Sequence, residues 1–123
     1  MKNLTKTLIL GTVIGLTGCS PSIYDFNGII DGEKVYCLSY SSLSRKIEVD
    51  VTKKDGRKID YISLGKERKL KSVTVNQGEN YSKVYTNDEV GAEALQIAQK
   101  QFDSYLAKIL EIKKKQALED IKQ

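Results

Sequence analysis

The sequence predicts an α+β fold: an antiparallel β-meander of five to six strands followed by one long C-terminal amphipathic helix. Three observations carry this. Asp31-Gly32 and Asp55-Gly56 each separate short runs rich in Ile, Val and Tyr, which is the composition of hairpins. Residues 45–53 alternate, with Ile47, Val49 and Val51 against Lys46, Glu48 and Asp50, the period of a strand with one buried face. From about residue 87 the period changes. Val90, Ala94, Leu95, Ala98, Phe102, Tyr105, Ile109 and Ile112 recur at helical spacing.

Taken in order, residues 23–30 and 33–40 form the first hairpin. A two-residue loop at Asp31-Gly32 sets Ile30 opposite Glu33, Gly28 opposite Val35, Phe26 opposite Cys37 and Tyr24 opposite Ser39. That face reads as core and buries Cys37 beside Phe26. The other face carries Ile23, Ile29, Tyr36, Leu38 and Tyr40 with Asp25, Asn27 and Lys34. In the second hairpin, the return strand 57–64 is expected to set Ile62 opposite Val49 and Leu64 opposite Ile47. Asp60 then falls opposite Val51 on the core side, close enough to the turn for water to reach it. Residues 69–75 and 81–86 supply further strands around a turn at residues 76–80.

The helix is expected over residues 87–118, opened by a Thr86/Glu89 capping box and closed by Lys113-Lys114-Lys115, with 119–123 as a frayed tail. Such a helix is about 45 Å long, against strands of about 20 Å. Its first part, to Phe102 or Tyr105, should pack on the sheet. Ile109, Leu110 and Ile112 are then left as an apolar surface for self-association or a partner helix. The alternative is that the last turns fold onto a curled sheet edge or fray beyond residue 110.

The N-terminus carries Lys2 and Lys6, no acid, and then an apolar run from Leu8 to Leu16 that is too short to span a bilayer. It closes on Leu16-Thr17-Gly18-Cys19. This plan resembles the signal and lipobox of bacterial lipoproteins. The resemblance implies removal of residues 1–18, diacylglyceryl modification of the Cys19 thiol, and fatty acylation, such as by palmitate, of the new amine. Residues 19–22 then tether one domain, 23–118, to the cell envelope as a membrane-attached but not membrane-spanning protein. Ser20 after the cysteine, rather than Asp, implies the outer membrane facing the periplasm in a Gram-negative cell. The stretches Asp55-Gly56-Arg57 to Tyr61 and Tyr85-Thr86 resemble small bacterial domains without an assigned activity.

The formal charge of +4 falls to +2 once Lys2 and Lys6 are removed, which argues against a nucleic-acid partner. With Cys19 taken by lipid, Cys37 is alone and expected to be buried. The chain has no His, so it lacks the usual general base and the commonest metal ligand. The carboxylates read as scattered among lysines. No cofactor, no metal and no enzymatic constellation is read from the residues, although composition leaves a Ser–Lys nucleophile open.

Two surfaces remain. Ile23, Tyr36, Leu38 and Tyr40 make an apolar patch, exposed for a ligand or partner unless the helix covers it. Lys53, Lys54, Arg57 and Lys58 gather at one hairpin tip, either for contact with phospholipid headgroups or as a solvated turn. A protein-interaction or envelope-assembly role ranks first. A small-ligand or inhibitor role would need an aromatic-lined pocket. A Ser/Lys hydrolase ranks last.

Overall fold

In the computed structural model, described for residues 23–40, 43–78 and 82–122, the chain forms one six-stranded antiparallel sheet and one helix. The strands are β1 (Phe26–Ile30), β2 (Glu33–Ser39), β3 (Ile47–Thr52), β4 (Lys58–Leu64), β5 (Lys69–Asn76) and β6 (Ser82–Thr86). They pair in chain order, and α1 (Ala92–Lys122) follows. The leader, Leu16-Thr17-Gly18-Cys19, the 20–22 tether, Tyr81 and Gln123 lie outside the described residues. So does the expectation of a helix over residues 4–17 with few contacts to the domain.

The first hairpin has the expected register, with Phe26 opposite Cys37, Gly28 opposite Val35 and Ile30 opposite Glu33. Asp31 (φ 53°) and Gly32 (φ 80°) both take the left-handed backbone of a type I′ turn. The ladder ends at Phe26. The Ser39 amide donates to Asp25 Oδ1 at 2.9 Å, so Tyr24 is not paired with Ser39, and its ring is instead buried in the core.

The second hairpin differs from its expected register by one residue. Val49 faces Tyr61, Ile47 faces Ser63, Val51 faces Ile59, and Asp50 faces Asp60. The cause is the loop. The Lys53 amide donates to the Arg57 carbonyl at 2.8 Å, and the Gly56 amide donates to the Lys53 carbonyl at 3.0 Å. Gly56 alone is left-handed there (φ 94°). That is a three-residue loop with a glycine bulge, not a two-residue turn. A slip of one residue exchanges the faces of a strand. Tyr61 and Ser63 therefore enter the core, while Asp60 and Ile62 turn to the other side of the sheet. The Ser63 hydroxyl is fully buried without a hydrogen-bond partner, beside the bulge between Ile62 and Ser63.

The helix crosses one face of the sheet, from β5 and β6 towards β1. Gln99 accepts from the Leu70 amide, Gln101 from the Tyr61 hydroxyl, and Glu33 from the Tyr105 hydroxyl. Lys108 reaches Asp31, and Lys113 reaches the Asp25 carbonyl. Leu95, Ala98, Phe102, Tyr105, Leu106 and Ile109 are its buried side chains, set against Val35, Cys37, Val49, Val51 and Tyr61. Ile109, expected to be exposed, is 0% exposed, and Leu110 is partly buried against the core. The reason is direction. A helix running across six strands, not along them, meets about 25 Å of sheet and keeps contact for longer. The overhang begins after Lys113. From there to Lys122, nine helical residues spanning about 14 Å are exposed, and the helix continues past residue 118 into the expected tail.

The helix start also differs. Thr86 is still paired with Ser72 in β6 and cannot act as the cap. Asp88 does so: its Oδ1 accepts from the Gly91 and Val90 amides at 2.7 and 3.0 Å. Those amides hold its carboxyl below the usual range. Gly91 permits this entry, because a Cβ there would lie 2.1 Å from the Thr86 carbonyl oxygen. Gly91→Ala is expected to cost about 1–3 kcal/mol of unfolding free energy through forced separation of backbone from backbone. Urea titration of the variant checks it.

Candidate functional site

Since α1 lies on only one face of the sheet, the other face is bare among the described residues. Along its middle run Asn27, Tyr36, Asp50, Asp60, Thr74 and Val84, one residue from each strand. The next row carries Leu38, Glu48, Ile62, Ser72 and Thr86. Tyr36 is 45% exposed and Leu38 partly so, which answers the question left by the sequence: the helix lies on the opposite side from both.

At the centre of this face the carboxylates of Glu48, Asp50 and Asp60 come within 4.8 Å of one another. The expectation of scattered carboxylates is therefore corrected. Glu48 and Asp50 share the outer side of β3 by simple alternation. Asp60 joins them only in the observed register, since the expected register placed it in the core. Burial raises the Asp60 carboxyl most, and hydrogen bonds to Asp50 and Glu48 add to it, so its pKa is pushed up to about 9. Its Oδ1 is buried without a hydrogen-bond partner. Lys46 stands 3.6 Å from Glu48.

Three carboxylates at this spacing form a donor set suited to a hard, oxygen-seeking cation. A cation binding there would displace the raised Asp60 proton, so such binding competes with protons. At neutral pH the trio is a proton-sharing cluster, apolar on its flanks, where Tyr36 lies opposite Asp50 and Ile62 opposite Glu48.

Neither protein-family models, curated proteins nor solved structures match this chain.

The other expected site residues fall in separate places. Ile23, 60% exposed, and Tyr40 lie at the end of the sheet where β1 begins. Lys53, Lys54, Arg57 and Lys58 lie at the opposite end, since β1 runs away from residue 23 and the β3–β4 loop shares the end of the β1–β2 turn. They do not form one cationic cluster. Lys53 pairs with Glu33 at 3.2 Å and Arg57 with Asp55 at 3.0 Å. Ile112 is partly exposed on the helix, but Leu118 and Ile121 beyond it are more so. Cys37 is buried as expected, and its thiol is pushed up to about 12 by that burial, which suppresses the nucleophilic thiolate. Lys113 is held below its usual pKa by burial and donates to the Asp25 carbonyl at 2.7 Å. No described helix is long and apolar enough to cross a membrane.

Proposed function

We propose that this chain is a lipid-anchored protein of the bacterial envelope whose domain is a protein-docking module, with the bare sheet face as its docking surface. The anchor rests on Leu16-Thr17-Gly18-Cys19 behind its charged and apolar leader. The docking role rests on one observation: a bare face whose centre holds three close carboxyls flanked by Tyr36, Leu38 and Ile62. A fitting partner presents an apolar patch around a Lys or Arg. On docking, that cation takes over the role of the Asp60 proton, and the apolar side chains around it exclude water.

Two measurements test this reading. Cys19→Ala is expected to move the protein out of the membrane fraction and to abolish incorporation of labelled fatty acid. A processed variant that stays in the membrane counts against the anchor. Tyr36→Ser with Ile62→Ser is expected to lose partners recovered by crosslinking from intact cells while leaving membrane attachment unchanged. Recovery of the same partners counts against the docking face. A second copy as the partner would show as a concentration-dependent mass of the wild type. The stripe of Ala117, Leu118 and Ile121 on the overhang is too short for a coiled coil by itself.

A further inference from the structure

We infer that the end of the sheet where β1 begins is a surface that seats on anionic phospholipid headgroups. The inference rests on the anchoring reading for its orientation and on separate observations for its chemistry.

Two connections, β2–β3 and β4–β5, meet at this end and are tied together, with the Gly65 amide donating to the Ser44 carbonyl at 2.8 Å. They carry Arg45, Lys46, Lys66 and Arg68 with one acid of their own, Glu67, while Lys46 also stands 3.6 Å from Glu48 of β3. Arg45 (φ 51°) and Arg68 (φ 55°) both hold left-handed backbone, a conformation non-glycine residues take only where the surroundings impose it. The Lys46 ammonium lies 4.9 Å from the centre of the Tyr40 ring, and the Arg68 guanidinium 4.8 Å from that of Tyr24. Between these groups is an open cleft of about 250 Å³. The exposed Ile23 and Tyr40 line it, and Leu43, 102% exposed, lies on the same β2–β3 connection.

Cations on aromatic faces beside bare aliphatic side chains form the composition of an interfacial surface. Guanidinium and ammonium groups meet phosphodiesters, and aromatic rings sit at headgroup depth. The occupant follows from where the chain enters. Cys19 is four residues before Ile23, a reach of at most about 14 Å. A lipid on Cys19 therefore holds this end nearest the bilayer. In this orientation the Lys53–Lys58 tip, for which the sequence left headgroup contact open, stands one strand length farther from the bilayer.

The test uses the unlipidated chain from Ser20 to Gln123, which holds the whole of the core formed by the described residues. It is sedimented with phosphatidylglycerol vesicles and with phosphatidylcholine vesicles. Binding is expected to the first and not the second, and to weaken with added salt. Arg45→Glu with Lys66→Glu, both exposed, is expected to weaken binding by more than about tenfold. Lys54→Glu with Lys58→Glu at the other end is expected to leave it unchanged. Leu43→Ser, which removes a side chain that touches no core, is expected to weaken binding without changing the thermal midpoint. Equal binding to both vesicles, equal loss from the two charge-reversed pairs, or full competition by inorganic phosphate would overturn the inference. No lipid is attached in this experiment, so its failure would leave the Cys19 anchor, read out in cells, unaffected.

Discussion

Phe102→Ala is expected to cost about 3–5 kcal/mol of unfolding free energy, enough to leave a domain of this size marginal. Phe102 is 0% exposed, and its ring centre stands 6.4 Å from that of Tyr61, which in turn lies 5.9 Å from that of Tyr105. These three rings join the middle of the helix to the middle of the sheet. Truncation leaves a cavity beside Tyr61, which cannot swing in to fill it because its hydroxyl is held by Gln101 at 3.0 Å and its ring packs on Tyr105, itself held by Glu33 at 3.0 Å. The thermal midpoint should fall by roughly 15–30 °C. Phe102→Leu should recover part of the loss. The comparison that separates core from interaction surface is along the same helix. Ile109→Ser should cost nearly as much as Phe102→Ala, whereas Ile112→Ser, at an exposed position, should stay within about 1 kcal/mol of wild type. Equal effects at 109 and 112 would contradict the packing described above.

The two Asp-Gly hairpins show how far the sequence carries and where it stops. At Asp31-Gly32 the dipeptide is the whole turn, and every register pair read from it within the strands holds. At Asp55-Gly56 the same dipeptide sits inside a longer loop. Asp55 Oδ1 accepts from the Arg57 amide at 3.0 Å, and the lysine before it closes the loop. Composition alone does not separate these cases. The alternation in β4 does not either, because Ile59 and Tyr61 favour one face while Ile62 and Leu64 favour the other. Asp60 does not separate the registers either: it would face the core in the expected one, and in the observed one burial still raises its carboxyl to about 9. Only the observed register brings the carboxyl trio together, since Asp50 and Asp60 face each other in it. The fold survived the slip because the meander depends on strand order and not on which face each strand turns inward. The buried length of the helix differs from its expectation for another reason. Periodicity states which side of a helix is buried, but the length buried depends on whether the helix runs along the strands or across them.

Asp60→Asn is expected to flatten the dependence of stability on pH and to stabilise the domain above neutrality. In the folded chain the Asp60 carboxyl is raised to about 9, first by burial and then by its hydrogen bonds with Asp50 and Glu48; in the unfolded chain it titrates near 4. The folded state therefore binds this proton more tightly. Its contribution to stability is complete below about pH 4 and is lost as pH rises through about 9, with a slope of at most about 1.4 kcal/mol per pH unit in between. The window is unusually clear. The chain has no His, and Cys37 and Tyr61 are both raised to about 12, above it. Asp31, Asp55 and Asp88 are shifted downward, so their contributions fade only on acidification, below the window. The charges facing Asp60 on the bare side are Glu48 and Asp50 from β3, with Lys46 paired to Glu48, and Lys58 two residues along β4. Asn keeps an N–H donor for the neighbouring carboxylates and never ionises. Urea unfolding at several pH values between about 5 and 9 should show the wild type weakening steadily and Asp60→Asn nearly level. Asp60→Ala should also lose the slope, but without the replacement donor it should leave Asp50 and Glu48 repelling each other and be less stable than Asp60→Asn at every pH. A wild-type slope that persists in both variants would place the titrating group elsewhere and dissolve the case for a shared proton at the centre of the bare face.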